Sequence, residues 1–192
     1  STSRGLGDVY KRQEYELGLV EPSLIVNDGI DYGCRPDIEA AYGDKLRPMD
    51  AFKDSAPAEL VDCVGHDDLM VLMFTSGSSG EPKGVPLTHH NLLSNISQCS
   101  SRITLEPQSR FLGSLPVFHC FGITIGLWYP MIGGYDMVTY PSPLEAKRLG
   151  ALIKQYGISL VVTTPTFLRG FMKRCEPDTF KTVRYLIVGA EK

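Results

Sequence analysis

Four hydroxyls, three glycines and one lysine are packed into Thr75-Ser76-Gly77-Ser78-Ser79-Gly80-Glu81-Pro82-Lys83-Gly84, directly after the apolar run 69–74. Glycines leave backbone N–H groups uncovered, and together with the hydroxyls of Thr75, Ser76, Ser78 and Ser79 these can donate to phosphate oxygens. Each charge-assisted bond contributes about 1.5–3 kcal/mol where water is excluded. Lys83 adds a mobile positive charge. The spacing is not that of a Walker A loop, because the four residues after Gly77, Ser78-Ser79-Gly80-Glu81, lead into Pro82 rather than Gly-Lys-Ser/Thr. Pro82 fixes its own φ and restricts Glu81, so the second half of the segment is expected to run extended, with a helix starting later. Thr88 is the expected N-cap for a helix over 89–96, with apolar residues at Leu92, Leu93 and Ile96. On composition alone the segment reads equally well as a flexible surface loop.

A second candidate is Leu115-Pro116-Val117-Phe118-His119-Cys120-Phe121-Gly122, which places a single histidine among aromatic residues directly after a strand-like run. A lone histidine is more often structural than catalytic. Cys120 has no base beside it within the motif and is not read as a nucleophile. Two further strand exits carry small or hydroxylic residues, Thr163-Thr164-Pro165-Thr166 and Gly189-Ala190-Glu191-Lys192. Small residues there let a flat base or a chain approach the backbone closely, and a plain strand-end turn is the other reading.

The elements that must position these residues alternate apolar runs with helix-period segments, which argues for parallel βαβ units with helices covering a sheet. Strands are expected over 69–74, 110–115, 136–140, 159–163 and 183–188, and helices over 122–131, 144–156 and 165–174, with Gly157 ending the second. Residues 14–68 are less regular, with one strand expected at Ser23-Leu24-Ile25-Val26 and a polar connection over 42–57. Asp67 and Asp68 read as a solvated turn. Open α/β sheets bind ligands outside the carboxyl ends of their strands, so 75–84, 116–122 and 189–191 are expected to converge on one pocket.

A chain of 192 residues, 43% hydrophobic, suits one domain of ordinary core size. A net charge of −3 gives no basic patch for nucleic acid, and the longest apolar runs fall short of a bilayer span. Five cysteines at irregular spacing, without a Cys-x-x-Cys pair, fit a reduced cytoplasmic protein. Asn95-Ile96-Ser97 matches the glycosylation pattern, a coincidence in that setting. Residues 1–13 resemble the translation of a transposase sequencing adaptor, with a natural flexible N-terminus as the other reading, and fold reasoning therefore starts at Glu14.

The segment 75–84, followed by Thr88-His89 and Asn91, resembles the phosphate-binding signature of the adenylate-forming superfamily, which includes acyl-CoA synthetases, luciferases and peptide-synthetase adenylation domains. The segment 115–122 is similar to that family's Leu-Pro-x-Phe-His-x-Phe-Gly motif. The resemblance implies an α/β fold, mostly parallel sheets covered by helices, with 14–192 an incomplete large N-terminal domain and the C-terminal domain absent. It implies that ATP is held by Thr75, Ser76, Gly77, Ser78, Ser79, Gly80, Lys83 and Gly84 and by Gly189, Ala190 and Glu191, and that Thr75 touches Mg²⁺. Lys83 and His119 take catalytic roles, His119 bordering the carboxylate and acyl pocket. Phe118, Phe121, Ile123 and Leu127 are candidates for an acyl channel or for ordinary core. The resemblance over 69–192 is nearest to acyl-acyl-carrier-protein synthetases, including those fused to a 2-acylglycerophosphoethanolamine acyltransferase, and then to long-chain acyl-CoA synthetases.

The implied reaction joins a fatty acid to the α-phosphate of ATP and then transfers the acyl group to a thiol of acyl carrier protein or CoA. The family's Tyr-Gly-x-Thr-Glu and Thr-Gly-Asp segments and its C-terminal lysine are not in this sequence, so the chain by itself is expected not to complete adenylation at a normal rate. Two alternatives stay open: an adenylate-forming enzyme for amino acids or aryl acids, and a truncated, non-catalytic nucleotide-binding module. The implied location is cytoplasmic, with association to an inner membrane possible through an upstream part.

Overall fold

Short apolar runs separated by helices give parallel pairing in both parts of the chain. The computed structural model describes residues 15–27, 35–53, 64–76 and 82–191, which divide into two compact units. One gathers the described residues up to Val64 with 74–76 and 82–85, and the other holds 65–73 and 86–191.

The first unit carries a helical stretch over 15–20 (α1) and a small crossover. Strand β1 (Ile25–Asn27) pairs in parallel with β2 (Leu46–Pro48), Ile25 opposite Leu46, and α2 (Arg35–Tyr42) connects them. A 3₁₀ turn, Met49–Phe52, follows. The polar connection expected over 42–57 is thereby corrected, since it contains β2 and this turn. Three-residue strands and a helix as polar as Arg-Pro-Asp-Ile-Glu-Ala-Ala-Tyr leave too little apolar periodicity to be read.

Strands β3 (Leu69–Ser76) and β4 (Pro82–Thr88) form a two-stranded arm whose connection, 77–81, lies outside the described residues. The extended backbone from Pro82 onward is the expected one. The expectation that 69–74 is a buried strand holds only in part: Leu69 is exposed and, of the run, Met73 alone is buried, because a two-stranded arm covers less surface than a full sheet. At its end Thr88 caps α3 (His89–Ser100) through a capping box, its hydroxyl accepting from Asn91 N (3.2 Å) while Thr88 N donates to Asn91 Oδ1 (3.0 Å). Leu92 and Ile96 are buried on one face of α3, whereas Leu93, one residue round the helix, is exposed. Asp68 sits in an exposed turn and accepts from Gly65 N at 2.6 Å.

The second unit is built on an all-parallel sheet in the order β6-β5-β7-β8, with β5 Arg110–Gly113, β6 Asp136–Thr139, β7 Leu160–Thr163 and β8 Tyr185–Val188. Registers are Arg110 opposite Asp136, Phe111 opposite Leu160 and Leu160 opposite Tyr185. Alternation divides the strands between two cores. Phe111, Leu160 and Val162 join Leu92, Ile96, Ile125 and Tyr129 on one face, while Leu112 and Val161 join Leu149, Ile153, Ile158 and Phe171 on the other. All of β7 is buried, as expected of a strand covered on both faces. Each fully buried aliphatic side chain contributes about 1.5–3 kcal/mol from surface removed from water. Helix α6 (Ala146–Tyr156) ends at Gly157 in the left-handed region (φ 61°), and α7 is Pro165–Arg174 as expected.

The helix expected over 122–131 is instead three pieces: α4 (Cys120–Ile123), a π-helical turn (Thr124–Trp128) and α5 (Tyr129–Gly133). A π turn widens the hydrogen-bonded ring to i+5, so residues four apart no longer share a face. Among the described residues no helix is long and apolar enough to cross a membrane.

Candidate active site

The segment leaving β5 turns back on itself before α4 begins. His119 N donates to Pro116 O at 3.2 Å, and His119 is then the N-cap of α4, its Nδ1 accepting from Phe121 N at 3.2 Å. Because Nδ1 accepts, the neutral ring carries its proton on Nε2 and offers that nitrogen as a donor. The Cys120 thiol lies 3.9 Å from the same Nδ1, which is already occupied by the backbone. Gly122 makes this turn possible: a Cβ built on it would stand 2.1 Å from Pro116 O.

Thr164 leaves β7, is buried, and caps α7 by accepting from Phe167 N at 3.4 Å. Beyond β8, Gly189 N donates to Thr163 O at 3.2 Å, and Ala190 is held at φ 67°, a left-handed conformation unusual for a residue with a Cβ. The side chain that follows it is anchored. Glu191 Oε2 accepts from Thr166 N at 3.0 Å, placing a carboxylate on the first turn of α7. The Thr164 hydroxyl, and then the Thr166 donors, pull the Glu191 carboxyl below the usual carboxylate range. The positive end of the α7 dipole favours the same ionised form.

These exits enclose a pocket of about 230 Å³, walled by Leu115, Phe118, Phe121 and Phe167 and edged by His119, Thr164, Ala190 and Glu191. Of the three exits expected to converge, 116–122 meets Ala190 and Glu191 within the second unit, while 75–76 and 82–84 belong to the first unit and 77–81 lie outside the described residues. Gly189 does not border the cavity; a Cβ there would rest 3.5 Å from the Phe121 ring, an ordinary contact, so the ring lies against the end of β8 without requiring glycine. A second cleft of about 440 Å³ is lined by 113–118, with Leu127 also in its wall. Ile123 lines neither of these two cavities, whereas Leu127, beyond the start of the π turn, lines the second, so the two do not share one wall.

Of the phosphate-loop residues, Gly77, Ser78, Ser79 and Gly80 lie outside the described residues. Thr75 and Ser76 end β3, and Lys83 and Gly84 stand in β4, with Thr75, Lys83 and Gly84 exposed. Among the described residues no group of three or more His, Cys, Asp or Glu could hold a metal ion. An exposed threonine hydroxyl such as that of Thr75 still suits Mg²⁺, which keeps several waters and takes its remaining ligands from substrate phosphates. The Thr163-Thr164-Pro165-Thr166 exit expected to flank the site brings Thr164 to the pocket, and Phe167, which was not among the expected site residues, joins it. The signal available was the Thr-Pro pair at a strand exit, which marks an N-cap and thereby a helix start facing the pocket.

A family model described as AMP-binding enzyme matches residues 23–192. The long-chain-fatty-acid–CoA ligase of Bacillus subtilis is 34% identical over 113 residues, 57% of this chain and 20% of the ligase. The D-alanine–D-alanyl carrier protein ligase of Streptococcus pyogenes is 31% identical over 178 residues, 83% of this chain and 32% of that protein. A p-hydroxybenzoic acid–AMP ligase of Mycobacterium tuberculosis is 26% identical over 129 residues, 67% of this chain and 18% of that protein. The chain spans about a fifth of the length of the first of these relatives. The ATP-bound structure of MatB from Rhodopseudomonas palustris superimposes with a TM-score of 0.81 over 94% of this chain and 38% of MatB, at 22% identity, a likeness of fold.

Proposed function

Since the chain belongs to the AMP-binding enzymes, we propose that it supplies part of the large domain of a ligase that activates a fatty acid with ATP and passes the acyl group to a thiol of CoA or acyl carrier protein. The observation that carries this reading is the meeting of three parallel-strand exits in one pocket, edged by His119, Thr164, Ala190 and Glu191. Leu115, Phe118, Phe121 and Phe167 give that pocket apolar walls, which favour an apolar acyl group over a polar amino acid.

In this account Lys83, with Thr75, Ser76 and the segment 77–80, binds the polyphosphate and neutralises charge that grows on the departing pyrophosphate. Thr75 would supply a ligand to Mg²⁺, whose chemistry is to share that negative charge. His119 presents Nε2–H toward the carboxylate, a donor whose orientation is fixed by the backbone bond on Nδ1. Ala190 and Glu191 form the wall against which a flat base can lie, with Phe121 lining the same pocket. Losing one donor of the His119 kind lowers the rate by about 10²–10³-fold.

The test is hydroxamate trapping with the full-length protein, offered fatty acids, aryl acids and amino acids in parallel. Trapped product from fatty acids at ATP-dependent rates, abolished in Lys83→Ala, is the expected result. Trapping with amino or aryl acids and not with fatty acids would replace the substrate class, and ATP binding with no trapped product from any acid would overturn the ligase reading in favour of a nucleotide-binding module.

A further inference from the structure

We propose that the groove between α6 and the segment 174–179 is a docking surface for an acidic segment of another protein. The 39 residues 146–184 hold eight of the chain's 19 Lys and Arg and two of its 22 Asp and Glu, so a local excess of positive charge lies within a chain whose net charge is −3. The fold gathers part of that charge in one place. Lys147, Gly150, Ala151 and Lys154 recur at the spacing of one α6 face and border a groove of about 150 Å³, with Arg174 and Cys175 in its other wall. Its floor is close-packed: a Cβ on Gly150 would stand 2.8 Å from the Cys175 sulfur, and that thiol donates to Ala146 O at 3.3 Å. Asp178 carries the basic line onward, pairing with Lys154 at 3.2 Å and also with Lys181, and Lys181 and Arg184 border the next cleft, of about 310 Å³. All five cations, Lys147, Lys154, Arg174, Lys181 and Arg184, are exposed.

Helix stability explains some of these residues and not others. Lys154 and Arg174 stand in the last turns of α6 and α7, where a cation complements the helix dipole. Lys147 stands in the first turn of α6, which holds no acidic residue, and a cation there lowers the folding equilibrium by about two- to fivefold. Lys147 is in no ion pair among the described residues, and Glu145, the N-cap residue, accepts from Tyr140 Oη at 2.7 Å instead of capping the helix. A lysine kept where it weakens its own helix, on the face that borders the groove, points to a ligand of opposite charge. Lys147 and Lys154 are about 10 Å apart along the α6 axis, more than one phosphate or carboxylate spans. Glu106, Glu176 and Asp178 interrupt the cations. A uniformly charged lipid or nucleic-acid surface would meet these carboxylates, whereas an acidic protein segment can set neutral or basic residues opposite them. Leu144, 68% exposed, lies beside the groove, its carbonyl accepting from Arg174 Nη1 at 3.5 Å, and supplies the apolar contact that protein interfaces place next to a charged rim.

The test is fluorescence-anisotropy titration of the full-length protein with a fluorescein-labelled 14-residue peptide of Asp, Glu, Leu and Ala, with sedimentation on phosphatidylglycerol vesicles in parallel. Saturable peptide binding is expected, at least about tenfold weaker in Lys147→Glu and intermediate in Lys147→Ala. Arg102→Glu makes the same change of charge at an exposed residue that borders neither cleft, and should leave binding within about twofold. Lys147→Glu should melt no lower than the unmodified protein, because it places an anion at the first turn of α6, so its loss of binding is not a loss of fold. Equal weakening in Lys147→Glu and Arg102→Glu would reduce the effect to net charge and overturn the inference. Absence of saturable peptide binding overturns it as well, and vesicle binding lost in Lys147→Glu would in that case assign the face to a membrane. The ligase reading stands or falls separately, on hydroxamate trapping.

Discussion

Gly122→Ala is the perturbation for which the structure gives the sharpest magnitude. Gly122 lies in α4, where alanine should gain up to about 1 kcal/mol of helix propensity over glycine. Its Cβ, however, would stand 2.1 Å from Pro116 O, 2.8 Å from Pro116 C and 3.2 Å from Leu115 C, all backbone atoms. Those atoms have little freedom, because the Pro116 carbonyl accepts from His119 N and Leu115 is buried in the core. Overpacking against such neighbours costs about 3 kcal/mol, the upper end of the usual range, so the net loss is about 2 kcal/mol. For a chain of this size that lowers Tm by about 4–8 °C. The clash also displaces the 116–119 turn and therefore His119, so binding of a hydrolysis-resistant acyl-adenylate mimic should weaken at least tenfold. Thermal melting followed by circular dichroism, with Gly126→Ala as the control that meets no neighbour, reads the first effect, and titration calorimetry reads the second. A Gly122→Ala protein that melts at or above the unmodified temperature would refute the reasoning, since it would mean that propensity outweighs the contact.

Two further predictions follow from the caps. Thr88→Ala removes the side-chain half of the capping box on α3 and should cost about 1 kcal/mol, a fall of about 2–4 °C in Tm; an unchanged melt would show that the arm and α3 do not depend on it. Glu191 has its carboxyl held below the usual range in the folded state, so the stability it contributes is present above the unfolded value of about 4.3 and is lost as pH falls through the folded value. The Tm difference between the unmodified protein and Glu191→Gln should accordingly be present at pH 6 and shrink below about pH 4, and a difference independent of pH would remove the carboxylate from the account.

The parallel sheet was legible because a strand buried on both faces reads as a continuous apolar run, as at Leu160–Thr163, and the edge strand Tyr185–Val188 is apolar as well although Leu186 and Val188 are exposed. Helix ends marked by local chemistry were equally plain, Thr88 before α3, Gly157 after α6 and Pro165 opening α7. The π turn was not legible, since an apolar pattern such as Ile123, Ile125 and Leu127 does not distinguish i+4 from i+5 bonding until the helix packs. Nor was the bond from Thr166 N to Glu191, which joins residues 25 apart and has no local signature. Arg35–Tyr42 was missed because Arg-Pro-Asp-Ile-Glu-Ala-Ala-Tyr carries too few apolar residues to set a period.

The most direct test of the account is titration of the chain with a dodecanoyl-adenylate mimic whose phosphate ester is replaced by a sulfamate, comparing the unmodified protein with His119→Ala. The account predicts saturable binding that weakens at least tenfold in His119→Ala, with Tm changed by no more than the about 1 kcal/mol that loss of an N-cap costs. Absence of saturable binding, or binding indifferent to His119→Ala in a folded protein, would contradict the claim that the pocket at the exits of β5, β7 and β8 holds an activated acid.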